Sequence, residues 1–213
     1  MNKFLSLALK WTKAFLVLFL IFQSVVAFGS PGDRLKYLPI QDSGRVKPFD
    51  SFSKEMLKLV YGKAEYQGRP AHEVVLTFFL TPEVWGDKPI FELRNFQILE
   101  ILGLDIHQRY FKGADLFLNE KLLTLMQDLQ AKRDSKEKLT PFFQALQRLE
   151  SQYYVFQQLS MGKLLRFLPP TEGTQWLSMD QMEGSEKVAF EALAKAFAQY
   201  IGTLNNTGAE AKK

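Results

Sequence analysis

The chain has no cysteine in its 213 residues. That excludes disulfides, thiolate catalysis, Cys-ligated metals and covalent haem attachment through its own thiols. Histidine is nearly absent as well: His72 and His107 are the two groups that can titrate near neutrality. They do not form an H-x-x-x-H pair, so no metal motif is present. Each reads more simply as a surface or hydrogen-bonded histidine than as a ligand. No G-x-S-x-G occurs, and "QDSGR" is no serine-nucleophile signature. Gly62-Lys63 lacks the earlier glycine and the following hydroxyl of a phosphate loop. Nothing here supports an enzyme, a bound cofactor or a metal site. Strong charge is missing too. Of the formal +4, Lys3, Lys10 and Lys13 sit in the first 29 residues, which leaves 24 basic against 23 acidic residues, a net of +1 for the rest. A near-neutral body gives no electrostatic case for nucleic acid.

What is present begins with "MNKFLSLALKWTKAFLVLFLIFQSVVAFGS". A basic start, an apolar run from Ala14 to Phe22 and small residues at Ala27, Gly29 and Ser30 have the order of a secretory signal. The strictly apolar run is about half of the roughly 20 residues that span a bilayer, although Val25 to Gly29 extend it. Residues 1–29 are therefore expected to export the chain to the periplasm, either cleaved or kept as an N-terminal membrane anchor. The remainder, 30–205, is long enough for one domain with a real core, and 14 of the chain's 19 Phe fall in it, which predicts aromatic packing.

The patterning is helical. Residues 31–47 read as extended, with a turn at Asp42-Ser43-Gly44. From Asp50, the residues Phe52, Met56, Leu59 and Val60 share a helical face that Gly62 ends, and Asp50 or Ser51 is the expected N-cap. "GRPAHEVVLTFFL" reads as a short buried helix, and Thr81-Pro82 as a helix start. A helix is expected from about Asn95 to Leu102, closed by Gly103. Residues 105–112 read as a short strand or irregular link, and 119–133 as a helix. Thr140-Pro141 opens the longest helix, whose Phe142, Leu146, Leu149, Tyr153 and Phe156 form a core stripe. A loop follows with Trp176 as its anchor. A last helix is expected over 185–204, then a disordered tail at 206–213. The fold class is thus mainly α: a compact bundle of about six helices with an extended N-terminal approach.

One stretch is unusually polar for the start of a helix: "LPIQDSGRVKPFDSFSKEML", Leu38 to Leu57. It can be a turn plus a cap, with Arg45 paired to Asp42 or Glu55. It can instead be an exposed edge, with Gln41, Asp42, Arg45 and Lys47 docking on a partner.

The same stretch resembles the segment L-P-(V/I)-Q-x-x-G-R-x-x-P-x-D-(S/T) of system II c-type cytochrome assembly proteins, the CcsA/ResB-type haem-delivery proteins. "FFLTPEVWGDKPIFELRNFQILEILGLD" and "VFQQLSMGKLLRFLPPTEGTQW" are similar to later blocks of the soluble periplasmic segment in that family. The resemblance covers roughly residues 37–180. It does not reach the family's membrane part, where W-G-x-x-W-x-W-D presents haem; Trp11, Trp85 and Trp176 are isolated. What it implies is a stand-alone periplasmic accessory to c-type cytochrome assembly. Its partner would be a membrane haem-delivery protein or apocytochrome c. The partner-binding candidates are Gln41, Asp42, Gly44, Arg45, Lys47 and Asp50, of which Gln41, Gly44, Arg45 and Asp50, with Pro48, match the family pattern. The alternative is a general periplasmic helical adaptor or chaperone with no direct haem role.

Overall fold

A computed structural model of the chain describes residues 35–170, 173–184 and 188. The expected leader, the tail and, apart from Val188, the last helix lie outside the described residues. The chain divides into two units, Met1–Leu35 and Lys36–Lys213; the architecture below is that of the second.

The described residues form seven helices and four two-stranded antiparallel ribbons, so the fold is mainly α, as the patterning predicts. Strands β1 (Pro39–Asp42) and β2 (Arg45–Pro48) make a hairpin that runs straight into α1 (Phe49–Tyr61). The turn residues Ser43 and Gly44 both have positive φ, 51° and 76°. That is the backbone a two-residue hairpin turn with the right twist requires. A second ribbon, β3 (Glu65–Tyr66) and β4 (Arg69–Pro70), repeats the device with Gln67 and Gly68 at φ 51° and 78°. It then delivers the chain to α2 (Ala71–Leu80) and α3 (Pro82–Gly86).

Capping of α1 differs from the expectation. Neither Asp50 nor Ser51 is the N-cap. Pro48 holds that position in extended conformation, and no side chain caps the helix. Main-chain carbonyls do the work: Phe49 N–H donates to Leu38 O at 2.8 Å and Asp50 N–H to Lys36 O at 3.0 Å. The free N–H groups of a first helical turn need acceptors of some kind, and the folded-back approach segment supplies them. Asp50 lies inside the first turn, where its charge suits the positive end of the helix. At the other end Gly62, φ 83°, closes the helix as expected.

Strand β5 (Phe91–Glu92) leads to α4 (Phe96–Leu102). Asn95 caps α4 by accepting from Ile98 N–H, and Gly103 ends it at φ 71°. Strand β6 (Tyr110–Phe111) pairs with β5, which settles the 105–112 link as partly strand. Directly after it stands α5 (Gly113–Phe117), a short helix the patterning did not anticipate. Then come α6 (Glu120–Asp134) and α7 (Pro141–Ser160), the latter with Pro141 in its first turn. Strands β7 (Arg166–Leu168) and β8 (Leu177–Ser178) and a 3-10 turn at Met179–Gln181 complete the described chain, adding structure where a loop was expected.

Helices α1, α2 and α7 pack on one another and carry the core. Helix α2 buries seven of its ten residues, the pattern of a central helix. Phe49, Phe52, Leu57, Val74, Phe78, Leu146, Leu149 and Trp85 are all buried. Aromatic rings link the layers: Phe78 meets Trp85 edge-on at 4.7 Å and Phe156 at 5.1 Å, and Phe117 stacks on Tyr153 at 3.9 Å. Such pairs add about 0.5–1.5 kcal/mol each beyond the area they bury; Phe49, Phe52, Phe78, Phe91 and Phe111 are buried, whereas Phe96 is exposed.

A buried carboxylate ties β5 to α7. The Glu92 side chain is 3% exposed. Gln152 of α7 brackets its backbone, accepting from Glu92 N–H at 3.0 Å and donating to Glu92 O at 3.1 Å.

Candidate functional site

The β1–β2 hairpin separates its polar residues into those that hold the fold and those that face solvent. Gln41 belongs to the first group. It is buried, and its amide grips a segment far along the chain: Nε2 donates to Thr174 O at 2.7 Å, and Oε1 accepts from Trp176 N–H at 2.7 Å. One side chain thus acts as a piece of β-strand for the loop before β8. The expectation of Gln41 as an exposed docking residue is corrected by this burial. The anchoring of that loop at Trp176 is observed, and it runs through the backbone N–H.

Lys47 and Asp42 are also engaged within the fold. Lys47 Nζ bonds Asp42 at 2.8 Å and Glu55 of α1 at 2.6 Å. Burial alone would lower the Lys47 ammonium, but the hydrogen bonds and charges of Asp42 and Glu55 outweigh it and hold the group above the usual lysine range. The pairing expected for Arg45 is therefore taken by Lys47. Asp50 is bonded to Lys54 at 2.6 Å and faces Nδ1 of the buried His72 at 3.4 Å. Burial pushes the Asp50 carboxyl up, yet Lys54 and His72 together bring it below the ordinary carboxylate value.

Arg45 is left. It is exposed at the turn end of β2 and makes no ion pair among the described residues. Gly44 beside it has nothing within 4 Å of where a Cβ would stand. The next residue along the strand, Val46, is 55% exposed, and in the approach segment Tyr37 is 72% exposed. Their type was readable as apolar sequence; their exposure was not, because it depends on which face of the hairpin turns to α1.

His107 is exposed, in the link before β6. Neither histidine belongs to a group of three or more metal-ligating side chains among the described residues. No helix among those residues is long and apolar enough to cross a membrane.

Two of the blocks that carry the sequence resemblance touch each other here. Gln41, from the first, holds Thr174 and Trp176, from the third. No protein-family model matches the chain. It is 25% identical over 154 residues to Protein NrfI of Wolinella succinogenes, covering 67% of this chain. The matched region is 16% of Protein NrfI, so the chain spans a small part of that relative.

Proposed function

We propose that this chain is an exported accessory module for c-type cytochrome assembly, docking on a membrane haem-delivery partner or on apocytochrome c. The observation that carries the reading is the similarity to Protein NrfI, which fits a cytochrome c maturation context. The three ordered blocks of resemblance to the soluble segment of system II assembly proteins support it. The docking element in this reading is the turn end of the β1–β2 hairpin. Gln41, Asp42 and Lys47 are committed to internal bonds, whereas Arg45 and Val46 are exposed. Arginine is among the residue types enriched at interface anchors.

The test is a photo-crosslinking residue placed at Val46 in living cells. The account expects one dominant adduct with a haem-delivery protein or an apocytochrome, and none from the same residue placed at Leu123 on α6, which is exposed to a similar degree. Adducts spread over many unrelated envelope proteins would favour the general adaptor or chaperone.

A further inference from the structure

The cleft between the β5 segment and α7 carries charge that the fold does not balance. Its volume is about 300 Å³, and its polar lining is Glu92, Arg94, Asn95, Gln144 and Arg148. Oε1 of Glu92 receives both Nε and Nη2 of Arg94 at 2.6 Å, together with Nε of Arg109. Those two guanidiniums both bond Oε1. A third, Arg148, reaches Oε2 only at 3.4 Å, beyond the usual hydrogen-bond range. One negative charge thus faces three positive ones, and the cluster keeps a surplus of +2. Two guanidiniums already outweigh one carboxylate, so the third adds charge that Glu92 does not balance.

The surplus is accessible. The side chains of Arg94 and Arg148 are 62% and 65% exposed, while Glu92 is sealed beneath them. Arg94 is held by two bonds to Glu92, so its position is fixed before any ligand arrives. Asn95 is fixed as well: its Oδ1 is tied to Ile98 N–H, and its Nδ2 is left as a donor at the cleft. We infer that this cleft binds a small oxyanion, a molecule carrying carboxylate or phosphate groups, between Arg94 and Arg148. Guanidinium forks match both groups, and the cavity is at the small end of ligand sites, which run from about 300 to 1,000 Å³. The site stands apart from the hairpin and independently of the docking reading.

Titration calorimetry on the purified full-length chain tests it, with citrate and inorganic phosphate as probes and chloride at matched ionic strength as reference. Saturable binding is expected with at least one probe and none with chloride. Saturation by citrate alone assigns a carboxylate ligand, and by phosphate alone a phosphate ligand. Arg148→Gln should weaken binding about tenfold without lowering Tm, since its contact with Glu92 is long. Gln144→Arg adds a guanidinium to the cleft and should tighten it. Lys132→Gln removes an exposed charge on α6, paired with Glu137, and should change nothing. No saturation by either probe, or equal weakening in Arg148→Gln and Lys132→Gln, would overturn the assignment.

Discussion

Gln41 and Trp176 are separated by 135 positions and joined by one hydrogen bond of 2.7 Å, from the Trp176 N–H to the Gln41 Oε1. The same amide donates to Thr174 O. The conspicuous glutamine of the N-terminal stretch is therefore a clasp between the two ends of the described fold.

Removing the clasp leaves a backbone donor and a backbone acceptor without their partner. Gln41→Ala should destabilise by about 1–3 kcal/mol, read by urea unfolding. Gln41→Glu keeps the acceptor for Trp176 but sets a carboxylate against the Thr174 carbonyl, and should also fall below the parent at neutral pH. An unfolding midpoint for Gln41→Ala equal to that of the parent would contradict the clasp.

Arg45 and Lys47 should behave differently although both are cations of one strand. Arg45→Ala should leave stability within about 0.5 kcal/mol, because the guanidinium makes no ion pair among the described residues. Lys47→Ala leaves Asp42 and Glu55 without their shared cation and should cost up to about 1 kcal/mol. In cells at equal protein level, the docking account expects Arg45→Ala to lower the yield of haem-stained cytochrome c; an unchanged yield would remove Arg45 from the docking surface.

Acid should weaken the start of α1 through Asp50. Its carboxyl titrates below the ordinary 3.8 in the folded protein. A depressed folded value means that its contribution is complete above the ordinary value and is lost as pH falls through the folded one. Asp50→Asn should therefore be less stable than the parent at pH 6, and the two should converge well below pH 3.8. A gap that persists in strong acid would place the effect of Asp50 elsewhere.

Gly62 and Gly44 give a matched pair. Both have positive φ, so alanine at either carries a backbone cost of about 1–2 kcal/mol. At Gly62 the new Cβ would also stand 2.7 Å from Oε2 of Glu92, a carboxylate fixed by its arginines, whereas Gly44 faces open space. Gly62→Ala should be the more destabilising in thermal melts, and equal losses would argue against a rigid Glu92.

Local signals were readable where the physics is local. Asn95 and Gly103 bound α4 as their residue types demand, and Thr140-Pro141 opens α7. Asp50 carries the composition of an N-cap, but the carbonyls of Lys36 and Leu38 occupy that role, and no short-range pattern announces a segment folding back. Helix α5 is five residues long, too short for periodicity to show. Glu92 and Arg94, two apart, suit one face of a strand. Arg109 and Arg148 join them only because β6 and α7 are packed alongside, which one strand's pattern cannot contain. Gln41 is the clearest case: a polar residue beside a turn reads as surface until its distant partner is known.

The most direct measurement is haem staining of the c-type cytochromes in the organism that encodes this chain, with and without its gene. The account predicts that deletion lowers the haem-bearing forms while the apocytochrome polypeptides are still made, and that the full-length gene restores them. Cytochrome levels unchanged by deletion would contradict a role in cytochrome c assembly.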